Sequence, residues 1–391
     1  MIVLKFGGTS VGSPARMREV ATIVDSTSSA LVILSAVSGT TNALVEIAAL
    51  LGINEKQKAL DKIASVKKQY IAFYTELLKQ EDLRLRAAEM VDAEFNALAG
   101  YAVNGFGPKQ EKEILSKGEI LSTHLFYLYL TQLKKKAVLL NALDFMRINE
   151  QGEPDLEYIT ANLQLPPAAN NEKIIYITQG YICRNAFGEI DNLKRGGSDY
   201  TASLVGAALN AEEIQIWTDI DGMHNNDPRY VDKTFPVREL SFDEAAELAY
   251  FGAKILHPNT ITPAQQKNIP VRLKNTMDPK AQGTLISSQT KGNGIKAIAA
   301  KDGITAIKIK SGRMLMAYGF LRSVFEVFER YQTPIDMITT SEVAVSVTID
   351  NNEYLAPIVE EINRFGTVEV DTDQTIICMV GNLVAETKGY A

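Results

Sequence analysis

Most residues that can do chemistry lie in turns rich in glycine and hydroxyl groups. The first is Lys5-Phe6-Gly7-Gly8-Thr9-Ser10, between an apolar run and a helix start. Its glycines let backbone amides approach an anion, the helix N-terminus adds positive potential, and Lys5 adds a full charge. It is not a Walker loop, because no Gly-Lys-Ser/Thr follows at that spacing. The second turn, Ser35-Ala36-Val37-Ser38-Gly39-Thr40-Thr41-Asn42, offers hydroxyls and an amide to a polar ligand. The third, Lys194-Arg195-Gly196-Gly197-Ser198-Asp199-Tyr200-Thr201, packs cations, glycines, hydroxyls and a carboxylate at a helix start. Arg195 can hold a carboxylate bidentately, and Asp199 can orient a lysine or bind magnesium. The fourth is Trp217-Thr218-Asp219-Ile220-Asp221-Gly222, with Asp227-Pro228-Arg229 shortly after. Lys254, His257 and Glu119 stand apart from these turns.

Each feature also has a plain reading. Gly-Gly after a strand is commonly a tight turn, residues 35–42 can be a capped loop, and Asp-Gly and Asp-Pro form turns unaided. A lone lysine is usually solvated, a histidine before proline is usually a cap or packing residue, and Glu119 alone reads as an exposed helix carboxylate. The set decides. It combines cations, glycine turns and Asp199, with no nucleophile–base triad and no metal-ligand cluster. Phosphoryl transfer asks for such a set, because it needs positioning and charge neutralisation more than covalent catalysis.

Composition narrows the class. The chain has 391 residues, with 40 Lys+Arg against 47 Asp+Glu and a net charge of −7. That balance argues against a nucleic-acid partner, which needs a basic footprint. The hydrophobic fraction of 46% supports a large core, and two or three domains are expected from the length. Cys183 and Cys378 make no disulfide framework, and three histidines leave little for a zinc or iron site. The run before Lys5 is too short for a signal peptide, and no stretch is apolar enough to span a bilayer. A cytoplasmic enzyme or small-molecule binder is expected.

The elements that must position these residues follow from pattern. Residues 2–6 and 30–36 read as buried strands, and Ser13-Pro14 reads as a helix start with Met17, Val20, Ala21 and Val24 at helical spacing. Residues 43–51 read as a helix, and 55–130 as mostly helical with a break at Gly105-Phe106-Gly107-Pro108. Strands are expected at 137–140, 174–178, 214–218 and 271–273, and helices from Gly196-Gly197-Ser198 to about 208 and over 242–252. Near-continuous apolar strands alternating with helices imply a mostly parallel α/β sheet covered on both faces. Residues 287–294 read as a linker. Beyond them, strands are expected at 304–309, 343–349, 368–370 and 375–380, with helices at 320–331 and 355–365, a ferredoxin-like β-α-β-β-α-β module.

The first turn resembles the opening signature of the aspartokinases, in the amino-acid kinase superfamily. The resemblance runs on through Leu34-Ser35-Ala36, Gly39, Thr41-Asn42, Gly118-Glu119, Ile177-Thr178-Gln179-Gly180, Gly196-Gly197-Ser198-Asp199-Tyr200-Thr201-Ala202, Trp217-Thr218-Asp219, Asp227-Pro228-Arg229 and Phe251-Gly252-Ala253-Lys254. Thr339-Thr340-Ser341-Glu342 fits as well. The resemblance implies an open, mostly parallel sheet sandwiched by helices over 1–290 and a ferredoxin-like (ACT) regulatory region over 295–391. Relatives carry two interleaved ACT modules; here one is expected complete and a second cut short after Gly381-Asn382-Leu383.

The implied reaction is ATP-dependent phosphorylation of the L-aspartate β-carboxylate, which opens lysine, threonine, methionine and diaminopimelate synthesis. By the resemblance, Lys5 and Asp199 are catalytic, and Asp199 organises magnesium-bound phosphates. Ser35, Thr41, Glu119, Tyr181, Arg195 and Ser198 would hold aspartate. Lys5, Gly7, Gly8, Thr218, Asp219, His224, Arg229 and Lys254 would serve ATP; His224 stands where relatives often carry tyrosine. Met314, Phe320, Leu321, Ile335, Asp336, Thr340 and Ser341 match effector-lysine positions, with Asp336 on the ammonium and Ala317 in place of a serine. Feedback inhibition by lysine and a homodimer or larger homo-oligomer through the ACT region are implied. A kinase for another acidic substrate, such as glutamate or N-acetylglutamate, and a non-catalytic amino-acid sensor are the alternatives.

Overall fold

The computed structural model describes residues 1–167, 172–194, 196–227, 230–251, 256–290, 294–312 and 318–382. The chain opens with strand β1 (Ile2–Phe6), helix α1 (Pro14–Ser26), β2 (Ala30–Leu34) and α2 (Thr40–Gly52). Ser13 caps α1, its hydroxyl accepting from the Arg16 amide at 3.3 Å, and Pro14 takes the first helical position. Three long helices follow: α3 (Lys56–Leu77), α4 (Glu81–Asn104) and α5 (Pro108–Gln132). Gly105 lies at φ 106°, a conformation that suits glycine, and Pro108 restarts the helix, so the expected break falls there.

Next come β3 (Ala137–Leu139), α6 (Ala142–Phe145), α7 (Leu156–Asn162) and β4 (Ile175–Gln179). The hairpin β5 (Ile182–Arg184) and β6 (Ile190–Asn192) leads to α8 (Gly197–Leu209) and β7 (Glu213–Thr218). Then follow β8 (Glu239–Ser241), α9 (Phe242–Phe251), a 3-10 turn (Pro258–Ile261), α10 (Thr262–Gln266), β9 (Val271–Asn275) and β10 (Thr284–Ser287). These strands build an eight-stranded sheet in the order β3-β4-β2-β1-β7-β9-β10-β8. Every pair is parallel except β9 with β10.

Residues alternate between two cores across this sheet, as the strand period requires. Leu4, Phe6, Val32 and Leu34 face α1 to α5, while Val3, Leu31 and Ile33 face the side of α6 to α10. Every residue of β2 and β4 is buried, which explains the unbroken apolar run of β2; β4 ends in the buried polar residues Thr178 and Gln179. The strand expected over 30–36 stops at Leu34, because the Ala36 amide turns to the Glu119 carboxylate.

The rest of the chain forms β11 (Gly294–Lys310), α11 (Phe320–Arg330), β12 (Ile338–Thr340), β13 (Ala344–Ile349), α12 (Leu355–Ile362) and β14 (Thr367–Asn382). The sheet is antiparallel in the order β12-β13-β11-β14, the ferredoxin-like arrangement. Two expectations change here. The strands expected at 368–370 and 375–380 are one strand, paired with β11 almost throughout. β12, absent from the reading, completes the module. The upper half of this unit has its own core around Ile307, Phe328, Val347 and Ile358. Ala297, Ala299 and Val380, by contrast, are buried in the core of the large sheet.

Candidate active site

The carboxyl ends of β1, β2 and β7 carry three of the predicted turns, the usual ligand position for an open α/β sheet, and the third turn, residues 194–201, leads from β6 into α8. Lys5, near the end of β1, is buried and points to the α8 side of the sheet. Its ammonium lies 2.6 Å from Asp199 in the first turn of α8. Beyond it the glycine turn folds tightly: the Gly7 amide donates to the Trp217 carbonyl (3.1 Å) and the Ser10 amide to the Gly7 carbonyl (3.0 Å). Arg16 braces the turn from α1, donating to the Thr9 carbonyl at 2.7 Å. A Cβ on Gly8 would sit 2.9 Å from the Ala36 carbonyl, so the first two turns meet with no room for a side chain.

Glu119 is buried on α5 and accepts the Ala36 amide at 3.1 Å. The exposed-carboxylate reading is therefore overturned. Burial pushes its carboxyl up to about 8, against the pull of the Ala36 amide and Lys5. A Cβ on Gly118 would lie 2.6 Å from the Ala36 Cβ, so the missing side chain lets α5 close on this loop. Ser122 donates to the Ser35 carbonyl at 2.8 Å. Tyr70, buried on α3, shares a 2.9 Å hydrogen bond with Thr40 at the start of α2, next to Thr41.

Tyr181 carries a positive φ of 68° and donates its amide to Thr201 at 3.0 Å. This bend lays the ring on the α8 N-terminus: a Cβ on Gly197 would lie 2.5 Å from Tyr181 Cδ2, and one on Gly180 2.5 Å from Ser198 Oγ. Burial and the neighbouring Glu119 charge push the Tyr181 phenol up to about 12. Lys5, Gly8, Ser35, Glu119, Tyr181, Ser198 and Asp199 thus surround one corner of the sheet. It combines a buried cation, a helix N-terminus and backbone amides, which suit phosphate, with Glu119, which suits an ammonium.

On β7, Thr218 donates to Asp219 at 3.1 Å, and its carbonyl accepts the Thr276 amide at 2.8 Å. Both ring nitrogens of His224 are engaged, with Thr234 and with Asp221, each at 2.7 Å. Among the described residues no group of three or more His, Cys, Asp or Glu side chains is placed to hold a metal. Arg195, Arg229, Lys254 and Met314 lie outside the described residues.

The other expected effector residues stand away from this corner, in the second sheet. Phe320 packs edge-on to Phe365 (6.5 Å between centroids), Ile335 packs on the module core, and Leu321 and Thr340 are exposed. The Ser341 amide donates to the Ala344 carbonyl at 2.8 Å. Asp336 accepts a hydrogen bond from Tyr250 of α9 and pairs with Lys301. The sequence left Tyr70 and Tyr250 unmarked and named Thr201 as part of the third turn with no role of its own. A polar group at a helix position that should be apolar was the one available signal.

Residues 1–275 match the Amino acid kinase family. The chain is 36% identical to the lysine-sensitive aspartokinase 3 of Escherichia coli, over 100% of this chain and 89% of that one. This chain belongs to the aspartokinases. It is also 34% identical to the chloroplastic aspartokinase 1 of Arabidopsis thaliana, across 97% of this chain and 70% of that protein. Among solved aspartokinases, E. coli aspartokinase III with aspartate and ADP (R-state) matches at a TM-score of 0.82 and 34% identity, covering 100% of this chain and 89% of that one. The same enzyme with lysine and aspartate (T-state) matches at 0.77 and 34% identity, covering 98% and 87%. Among the described residues of this aspartokinase, no helix is long and apolar enough to cross a membrane.

Proposed function

We propose that this aspartokinase transfers the γ-phosphoryl group of ATP to the β-carboxylate of L-aspartate, giving 4-phospho-L-aspartate and ADP. The observation that carries the reading is the buried Lys5–Asp199 pair, 2.6 Å long, set between the glycine turn and the α8 N-terminus. A carboxylate oxygen of aspartate forms the new bond to phosphorus. The bond to the β-phosphate bridging oxygen breaks, and ADP leaves with its electron pair. The attacking carboxylate is already ionised near neutral pH, so no general base is needed.

Lys5 neutralises charge on the transferring phosphoryl group, and Asp199 holds Lys5 in place. Magnesium needs oxygen donors and commonly takes one carboxylate with phosphate oxygens, which Asp199 and ATP supply. Bound there, the ion neutralises phosphate charge. Glu119 takes the substrate ammonium, and Arg195 its α-carboxylate. Ser35, Thr41, Tyr181 and Ser198 complete the aspartate pocket. Gly8 presents its amide to the phosphates, and Gly7, whose own amide is held by the Trp217 carbonyl, keeps the space beside Lys5 open for them, while Thr218, Asp219, His224, Arg229 and Lys254 serve the rest of ATP.

We assign 1–290 to catalysis and 295–391 to regulation, with lysine as effector and pairing of copies through the regulatory region in the cytoplasm. ADP release with ATP, magnesium and aspartate, against glutamate and N-acetylglutamate, tests the substrate. Turnover confined to aspartate supports the reading, and turnover with another acid alone rejects it.

A further inference from the structure

Asp336 is the residue expected to receive an effector ammonium, and one oxygen of its carboxylate is already taken. Its side chain is only 1% exposed. One oxygen accepts the Tyr250 hydroxyl and lies 3.1 Å from Lys301 Nζ, and the other is buried with no hydrogen-bond partner. Lys301 also reaches Asp350 at 2.9 Å and lies 4.4 Å from the Tyr250 ring centroid. Burial, and then the Asp336 charge, push the Tyr250 phenol up, so it stays a donor. Burial pulls Lys301 down, but Asp350 and Asp336 outweigh it and the lysine stays charged. A second ammonium arriving at Asp336 would crowd Lys301, and because the partnerless oxygen is buried it would reach the carboxylate by displacing the Tyr250 hydroxyl.

Tyr250 stands in the last turn of α9, and α9 is tied to the regulatory strands at both ends. Lys296 pairs with Glu244 in its first turn at 2.8 Å, and Asp336 holds Tyr250 at the other end. From there a packed path leads to the catalytic corner. Tyr250, Phe251, Asp336 and Met337 line a cleft of about 510 Å³ together with Pro258. Pro258 begins the 3-10 turn that carries Thr260. A Cβ at Gly196, the cap of α8, would lie 2.7 Å from Thr260 Cγ2. Ser198 and Asp199 follow in that helix.

We propose that the Tyr250 hydroxyl and an effector ammonium compete for Asp336, so that effector binding frees the end of α9 and loosens its hold on the α8 N-terminus. Tyr250 is then the coupling residue between effector and catalysis. The inference rests on the reading of the chain as a lysine-regulated aspartokinase. Physically, effector affinity is lowered by the cost of breaking the Tyr250–Asp336 bond, and removing that bond raises it.

The test is calorimetric titration of the full chain with L-lysine, alongside ADP release with aspartate, for wild type, Tyr250→Phe and Lys301→Met. Tyr250→Phe keeps the ring on Lys301 and loses only the hydroxyl. Roughly tenfold tighter lysine binding is expected, the worth of a hydrogen bond to a charged acceptor, while lysine inhibition weakens because the end of α9 is already free before lysine arrives. Lys301→Met, which removes the competing cation, shifts affinity the same way, and a normal melting transition shows that each variant is folded. Wild-type lysine affinity in Tyr250→Phe, tighter binding with inhibition undiminished, or no lysine binding by wild type would each overturn the proposal. Absence of ADP release from wild type with aspartate would instead overturn the functional reading, and the affinity comparison would still be readable.

Discussion

Lys5 and Asp199 show how one residue's function depends on another's burial. Each charge would be costly alone in this corner, and the pair makes both tolerable. In the proposed mechanism, Lys5→Met removes the cation that faces the transferring phosphoryl group. Its kcat is expected to fall about 10²- to 10³-fold in steady-state ADP release, with the ATP KM changed far less. Glu119 makes a pH prediction. Its carboxyl titrates near about 8 in the folded chain, against 4.5 for an ordinary glutamate. Between those values the folded state holds the extra proton, so its contribution to stability is full below the lower value and is lost as pH rises through the upper one. Aspartate reverses the preference, because its ammonium favours the ionised carboxylate and binding expels the proton. The aspartate KM should therefore fall as pH rises from about 6.5 to about 8. In Glu119→Gln it should be high and flat across that range, which a pH series of initial rates checks.

At the scale of elements, the site depends on how closely α5 and α8 approach the loops after β2 and β4. Gly118→Ala places a methyl 2.6 Å from the Ala36 Cβ, and neither partner is a flexible side chain. A loss of about 1–3 kcal/mol is expected in thermal unfolding, with a raised aspartate KM because Glu119 rides on the same helix. This approach was half legible in the sequence. The strands β1, β2, β4 and β7 and the start of α1 were readable, because burial on both faces and a Ser-Pro cap leave strong local patterns. β5, β6, β8 and β12 were not, since three residues that mix polar and apolar side chains are too few to show a period, whereas the equally short β3 stood out as an apolar run. Lys5, Ser198 and Asp199 stood out in their turns and Glu119 as a separate acid, while Tyr181 was found by resemblance alone; yet the burial of Glu119 was invisible, because nothing near it in sequence says that α5 faces the Ala36 amide. Tyr70 and Tyr250 were missed for the same reason, because their partners Thr40 and Asp336 are distant in sequence and one polar atom on an apolar helix face leaves no pattern.

Across the whole molecule, α9 joins the two sheets. Ser241 and Glu244 form a reciprocal cap at its start, with amide-to-side-chain distances of 2.7 and 3.0 Å. The same carboxylate receives Lys296 from β11, with both side chains largely buried. Lys296→Met strands that carboxylate, and a loss of about 3–5 kcal/mol is expected in denaturant unfolding. Adding Glu244→Gln should recover much of it, because the amide oxygen keeps the cap without a buried charge. No recovery in the double variant would mean that the pair's packing, rather than its charge, holds the sheets together. The acidic chain thus sets cations in pairs, one in the catalytic corner and others where the sheets meet. The central claim, phosphoryl transfer to aspartate at the Lys5–Asp199 corner, is tested most directly by coupled ADP release from the full chain with ATP, magnesium and L-aspartate, run beside Lys5→Met. Aspartate-dependent ADP formation that collapses in the variant is the predicted result. Absence of turnover in the wild type, or undiminished turnover in Lys5→Met, would contradict it.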